Sequence, residues 1–519
     1  MSVIILSYPR FWTAESYDVV VDSPLTACLM PGYVAAVLKE RGISHYLIDA
    51  QQKGWGLAEI PTCIANLMGQ EPYLLSLQLI YSFENTDKII QSLKEVKDIN
   101  PTAHINLFGY YPTFAYDLIL SQYPVIDSIT LGEPEITIAE LATALGKKES
   151  WQGFPGIAYR DTTGNIIKGA YQSPIMELDS LPFPCRIQSE TDSTFTYIQG
   201  SRGCYNSCFF CYINPFYGYQ AGWRGRSPQN IVREIITLLE EPLKSHFYFA
   251  DPNFFGPGLF GQQRAMELAR LIKEQAPGIV FGFETRVNDI QESSLALLSE
   301  AGLRYIFLGI ESGSQRWLDR VKKNIRVTDS IKALQLCRRH GLNISTGFIM
   351  FAPFSNLEDI AENLRFLKEQ ELLHTPTTTC HVLYHPTFIS WGHPLYCMIR
   401  QKTGSEYFLG LDTFEPRVQL LYEYQAEVSR RVLAYVQGRD LDMSDSTPEE
   451  EKIFKRLNCL VIEGFEQALS LTLKTHKLPQ LEASLSELQT TMLKKLTPAK
   501  ACLSARSQAG DYHKTALLK

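Results

Sequence analysis

The first 150 residues alternate short, almost wholly apolar runs with longer stretches in which apolar residues recur every three or four positions. VIILS (3–7), SHYLID (44–49), YLLSLQ (73–78), HINLF (104–108) and SITL (128–131) have the length and composition of strands. Between them, LMPGYVAAVLKERG (29–42), AEIPTCIANLMG (58–69), NTDKIIQSLKEVKD (85–98) and TFAYDLILSQY (113–123) carry helical spacing, and EPEITIAELATALG (133–146) follows the last strand. Regular strand–helix alternation predicts a doubly wound α/β domain with a parallel sheet. Such sheets bind ligands at the carboxyl ends of their strands.

Residues 151–195 are richer in proline and glycine (GFPG, LPFPC) and read as a linker. The alternation resumes at 196. TYIQ (196–199), HFYFA (246–250), VFGFE (280–284), YIFLGI (305–310), STGFIMF (345–351) and TTTCHVL (377–383) are the strand candidates. Helical spacing returns between them, from PQNIVREIITLLEE (228–241) to NLEDIAENLRFLKEQE (356–371). About six strand–helix units suit a partial (β/α)6 barrel rather than an eight-stranded one. Beyond about residue 400 the pattern is helical only. DLDMSDSTP (440–448) divides two long amphipathic segments, and Thr447-Pro448-Glu449-Glu450 has the form of a helix start. The expected organisation is 1–150, a linker over 151–195, a barrel over 196–400 and a helical region over 401–519.

Composition narrows the partners. The 519 residues are 45% hydrophobic and 20% charged, with a net charge of −7. An acidic chain argues against a general nucleic-acid or anionic-membrane binder, since both favour basic faces. The start, MSVIILSYPR, lacks the basic region of a signal peptide, and no run approaches the ~18 apolar residues of a membrane span. The expectation is a cytoplasmic protein with reduced thiols, so most of the eleven cysteines read as small buried hydrophobes.

Three cysteines differ. Cys204, Cys208 and Cys211 fall within GSRGCYNSCFFCYI (200–213), just after a strand candidate. Structural zinc asks for four closed ligands, usually as paired knuckles, and the next cysteine in the chain is the isolated Cys337. A thiol redox pair needs only two. A four-iron cluster held by three thiolates fits better, because its fourth iron stays open to another ligand.

The pattern C-x₃-C-aromatic-x-C resembles the cluster loop of the radical S-adenosylmethionine (SAM) superfamily. Four further stretches resemble the same superfamily: FYFADPNFF (247–255), FGFETRVN (281–288), FLGIESGSQRWLDRVKK (307–323) and HPTFISWGHPLY (385–396). The resemblance covers residues 196–400. It implies a [4Fe–4S] cluster on Cys204, Cys208 and Cys211 that chelates SAM and cleaves it to a 5′-deoxyadenosyl radical. The implied SAM-site residues are Phe210, Tyr212, Asp251, Glu284, Arg286, Glu311 and Ser312. Glu311 is the candidate for the ribose hydroxyls and Arg286 for the SAM carboxylate or the substrate.

The amino-terminal part, in SPLTACLMPGYVAAVLKERGISHYLID (23–49) and INLFGYYPTFAYDLILSQYPVIDSITLGEPEITIAELATAL (105–145), resembles the cobalamin-binding domain that precedes the barrel in one subclass. The implied cobalamin residues are Pro31, Tyr33, Ser76, Gln78, Gly109, Tyr110, Tyr111, Thr113, Leu131, Gly132 and Glu133. Gly109-Tyr110 stands where many relatives have a glycine pair. In GEPE, Pro134 suits a first helical turn and the two glutamates suit its dipole, so capping competes with ligand binding there. The D-x-H-x-x-G signature is absent, so the resemblance implies no histidine of this chain on cobalt. No G-x-G-x-x-G follows the first strand, where LSYPRFWT (6–13) stands, which argues against a dinucleotide site.

The combined expectation is a cobalamin-dependent radical SAM enzyme, a C-methyltransferase acting on an unactivated carbon of a small molecule. A ring-forming or rearranging enzyme with the same cofactors is the alternative, and a cobalamin or iron–sulfur sensor is the alternative of another class. A methylthiotransferase would carry three amino-terminal cysteines, whereas only Cys28 and Cys63 precede residue 150. An electron donor such as flavodoxin or ferredoxin is the expected protein partner, with neither membrane nor nucleic acid. Tyr384, His385, Trp391 and His393 are the candidates for the substrate pocket.

Overall fold

The apolar runs of the first 150 residues pair side by side as β1 (Ser2–Ser7), β2 (His45–Asp49), β3 (Tyr73–Gln78), β4 (His104–Phe108) and β5 (Ser128–Thr130), all parallel, in the order 2-1-3-4-5. The connections are α1 (Leu29–Glu40), α2 (Ile60–Met68), α3 (Thr86–Ile99), α4 (Tyr110–Phe114) and α5 (Tyr116–Gln122), and α6 (Pro134–Lys147) follows β5. This is a computed structural model, and it describes residues 1–7, 29–50, 53–79, 86–187, 195–240, 245–384, 387, 389, 391–403, 414–437, 439–441 and 446–504. Successive strand residues point to opposite faces. Leu74 and Phe108 therefore pack under α1 and α6, with Tyr33, Val34, Ile138 and Leu141. Leu75, Leu77, Ile105 and Leu107 pack under α2, α3 and α5 on the other face. The strand-order reversal between β1 and β3 opens a crevice at the carboxyl ends of the strands.

Residues 151–195 depart from the expected linker. They carry β6 (Ile157–Arg160) and β7 (Ile166–Lys168), an antiparallel hairpin that extends the sheet beyond β5 to seven strands. The turn is local chemistry: one carboxylate oxygen of Asp161 accepts from the backbone N–H groups of Thr163 and Asn165. Three- and four-residue strands are too short to stand out by periodicity amid proline and glycine.

The second sheet has the order 14-13-12-11-8, all parallel among the described residues: β8 (Thr196–Ile198), β11 (His246–Phe249), β12 (Val280–Arg286), β13 (Leu303–Glu311) and β14 (Asn343–Phe348). After β8 a two-stranded ribbon, β9 (Ser201–Arg202) and β10 (Arg224–Gly225), encloses the cysteine loop and α7 (Ile213–Tyr217). The helices α8 (Pro228–Leu239), α9 (Gly258–Gln275), α10 (Glu292–Glu300), α11 (Gln315–Arg320), α12 (Val327–Arg339) and α13 (Leu357–Glu369) cover the outside. Side chains cap the starts of α8 and α13. Ser227 accepts from the Asn230 N–H ahead of Pro228, and Asn356 and Asp359 form a capping box.

The sixth expected strand is not one. TTTCHVL lies in α14 (Pro376–Tyr384). Three β-branched threonines favour a strand locally, but Pro376 presets the first turn, and the Asp440 carboxylate accepts from both the N–H and the hydroxyl of Thr377. Five barrel strands are thus described. The stretch expected to supply the last one, 385–396, is described only at 387, 389 and 391–396. Beyond it lie α15 (Pro394–Thr403), α16 (Pro416–Val436), α17 (Pro448–Lys474) and α18 (Leu478–Ser504). Thr447 and Glu450 make the capping box at the start of α17. The last three helices share one apolar core with the outer face of the barrel. Among the described residues no helix is long and apolar enough to cross a membrane.

Candidate functional site

The cysteine loop is fixed from below before any ligand is considered. Gly200 donates its N–H to Asp251 at 2.6 Å and Ser201 its hydroxyl to the same carboxylate at 2.9 Å, while Arg264 donates to the Gly200 carbonyl at 2.7 Å. Within the loop, Asn214 accepts from the Cys204 N–H at 3.2 Å and donates to the Asn206 carbonyl at 2.8 Å. Asn206 in turn donates its amide to Cys208 Sγ and to the Lys322 carbonyl, both at 3.0 Å. The Phe209 N–H reaches the Val321 carbonyl, and the Phe209 carbonyl accepts from Leu395. The loop is therefore clamped between the turn after α11 and the start of α15.

All three cysteines are free thiols, with Cys208 buried and the other two partly so. Burial pushes the Cys204 thiol up and that of Cys211 up to about 12. Two buried cations oppose this. Arg286 places Nη1 3.8 Å from Cys208 Sγ, and the Lys323 ammonium lies 5.8 Å from the Phe210 ring centre. Among the described residues no three His, Cys, Asp or Glu side chains stand as ligands of one ion. Thiolates that each bind a different iron of a cluster are spaced more widely than that. Three soft sulfur donors beside two buried cations suit an anionic iron–sulfur group.

The expected SAM residues divide. Strand alternation brings Glu284, Arg286 and Glu311 to the inner face of the sheet, with Tyr248 and Tyr305. Glu311 has a left-handed backbone, φ +67, at an irregularity in the β13–β14 pairing. Its carboxylate pairs with Lys323 at 2.7 Å. A Cβ on Gly309 would come within 2.9 Å of both charged groups, so the glycine makes room for the pair. Ser312 is different: it is fully buried and donates to Asn363 at 2.6 Å, facing α13. Asp251 is taken up by the base of the loop. Its burial raises its pKa to about 6 against the opposing charge of Arg264. Phe210 stacks on Trp317. Lys323 and Asn206 were missed by sequence reasoning. Nothing in a KK pair or a lone asparagine separates them from surface residues, because their contacts depend on the left-handed turn at Lys322 and Asn324.

The carboxyl ends of β3–β5 face this loop. Gly109 has φ +108, and Thr113 ties two strand ends together, donating to the Gly109 carbonyl at 2.7 Å and accepting from the Gly132 N–H at 3.1 Å. The Tyr110 ring packs on Tyr212 at 4.8 Å and on Phe216 at 4.4 Å. Tyr212 stacks on His393 at 5.4 Å and 17°, and Tyr111 packs on Trp391 at 5.6 Å. Residues 109–113, 210–216 and 391–393 thus converge in one aromatic seam. The rest of the expected corrin set makes other contacts within the first domain and with the cysteine ribbon. Pro31 and Tyr33 are buried in α1, where Tyr33 lies against Arg202 at 5.1 Å. Ser76 is inside the sheet, donating to Asn106. Gln78 accepts from Ser7, and the Leu131 N–H donates to Gly156. Glu133 is a buried ion-pair partner of Arg202 and Arg224. Of the substrate candidates, Tyr384 is 1% exposed and its ring stacks on Tyr422 at 6.5 Å. Trp391 and His393 belong to the seam, and His385 lies outside the described residues.

Residues 198–367 match the radical SAM superfamily. That segment, with its three-cysteine loop and parallel half-barrel, is a radical SAM domain. The chain is 28% identical over 285 residues to an uncharacterised methyltransferase of Pyrococcus horikoshii, covering 54% of this chain and 61% of that protein. It is 28% identical over 294 residues to the anaerobic magnesium-protoporphyrin IX monomethyl ester cyclase of Rubrivivax gelatinosus, covering 54% of this chain and 52% of that one. It therefore spans between half and two thirds of these relatives. The fold of the cobalamin-dependent S-adenosylmethionine radical enzyme OxsB, solved with aqua-cobalamin and S-adenosylmethionine, matches 99% of this chain and 82% of its own with a TM-score of 0.74 at 19% identity. The described residues thus share the fold of that enzyme.

Proposed function

We propose that this protein is a cobalamin-dependent radical SAM methyltransferase that modifies an unactivated carbon of a small molecule. The observation that carries the reading is the aromatic seam. It joins the strand ends of the first sheet, Gly109–Thr113 and Gly132, to the cysteine loop through Tyr110, Tyr212 and Phe216. In this reading Cys204, Cys208 and Cys211 hold a [4Fe–4S] cluster, and the Gly109 and Gly132 strand ends, with Tyr110, Tyr111 and Thr113, hold cobalamin. When bound, the cluster would supply the electron that cleaves SAM, and cobalamin would carry the methyl group.

The chain's own residues bind, orient and exclude water. The Lys323–Glu311 pair and Arg286 offer a cation–anion–cation set to a zwitterionic ligand beside Cys208. The tyrosine, tryptophan and histidine rings of the seam keep bulk water from the space between the two sites. Glu311, held in one orientation by Lys323, presents an acceptor suited to a vicinal diol. The reducing equivalent comes from a separate low-potential donor protein.

Anaerobic reconstitution with iron, sulfide and cobalamin, followed by mass spectrometry of SAM products, tests this. Methylation predicts S-adenosylhomocysteine together with 5′-deoxyadenosine. Deoxyadenosine alone would replace it with the cyclising or rearranging alternative, which the similarity to the Rubrivivax gelatinosus cyclase favours.

A further inference from the structure

The GEPE stretch is absorbed neither by helix capping nor by ligand binding. Glu133 and Glu135, at the start of α6, face two arginines of the ribbon that brackets the cysteine loop. Arg202 donates to Glu133 at 2.7 Å and to Glu135 at 2.6 Å, and Arg224 donates to Glu133 at 2.9 Å. All four side chains are at most 4% exposed. The rings of Tyr33 and Tyr217 lie 5.1 and 5.2 Å from the two guanidinium carbons. Burial works to raise the Glu133 carboxyl, but the guanidiniums outweigh it and hold the group below its ordinary value, so it stays ionised.

The placement matters more than the charge count. Arg202 lies two residues before Cys204, and Arg224 pairs with it in register across β9 and β10. Glu133 directly follows Gly132, whose N–H is tied to Thr113 and through it to Gly109. The network therefore runs from the first cysteine to the strand ends of the other domain. Arginine's rigid fork fixes direction as well as distance when it spans two carboxylates. Buried ion pairs are poor contributors to stability, because desolvation offsets the attraction. Their best-attested use is to allow only one register.

We infer that Arg202, Glu133, Glu135 and Arg224 form a positioning lock that sets the separation of the cluster from the corrin, an inference that rests on the two-cofactor reading above. Low-spin cobalt(II) and the reduced cluster each carry one unpaired electron, so the lock has a readout that does not need the substrate. In protein loaded anaerobically with both groups, pulsed electron paramagnetic resonance should give one resolved dipolar coupling between them. Arg202→Lys keeps the charge but cannot span both carboxylates. It should lose the resolved coupling while iron and cobalamin contents stay at wild-type levels. An unchanged coupling in Arg202→Lys would overturn the inference. If that variant does not fold, Glu135→Ala, which leaves the Glu133 contacts, decides in the same way: loss of the resolved coupling supports the lock and an unchanged one overturns it. A wild-type protein that takes up iron but no cobalamin contradicts the two-cofactor reading instead, and is recognised before any variant is made.

Discussion

A single methyl group tests the strand-end geometry. A Cβ at Gly109 would meet the Leu79 carbonyl oxygen at 2.4 Å, and the backbone there holds φ +108. Gly109→Ala should cost about 2–4 kcal/mol in chemical denaturation, since it combines left-handed strain with a backbone clash. It should also abolish cobalamin uptake in a spectrophotometric titration; full uptake at wild-type stability would remove Gly109 from the site. At this scale the cysteines were legible, because a three-thiol spacing has few uses. Asn206 and Lys323 were not, since both act through chain reversals at 322–324 that no local pattern announces. Ser312 and Asp251 sit inside recognisable motifs yet serve the interior, as Asn363 and the Gly200–Ser201 turn show.

Elements were read more surely than residues, and the exceptions have physical causes. TTTCHVL became helix because Pro376 and Asp440 supply what its propensities lack, and the β6–β7 hairpin was hidden in a turn-rich stretch. A line of polar residues within the first sheet gives a prediction at this scale. Ser76, Asn106, Ser128 and Thr130 form a buried ladder across β3, β4 and β5, ended by His104, whose Nε2 lies 2.8 Å from the Ser128 hydroxyl. Burial lowers the His104 pKa from 6.5 to about 4. The folded state thus favours the neutral ring, while the unfolded chain protonates near 6.5. The contribution is complete above pH 6.5 and is lost as pH falls towards 4, by roughly 3 kcal/mol at most. Denaturation of the wild type and of His104→Gln should therefore converge or cross in that window. A stability difference that does not change with pH would contradict the assignment.

For the whole molecule, alternation of strands and helices was enough to foresee a doubly wound domain, a partial barrel and a helical end. The way they meet was not legible. In the sequence Glu133 suits either the implied corrin site or a helix start, Glu135 suits the helix dipole, and nothing singles out Arg202, because ion pairs between domains leave no periodic trace in a sequence. The seam of Tyr110, Tyr212, Phe216 and His393 likewise draws on three stretches far apart in the chain, each explicable alone as core packing. What these contacts imply together is a chain that presents a three-cysteine loop to the strand ends of a separate sheet. The most direct test is 5′-deoxyadenosine formed from SAM by anaerobically reconstituted, reduced protein, compared between wild type and the Cys204→Ala, Cys208→Ala and Cys211→Ala variants. The account predicts formation by the wild type and none above background in any variant. Undiminished formation by any of the three would contradict it.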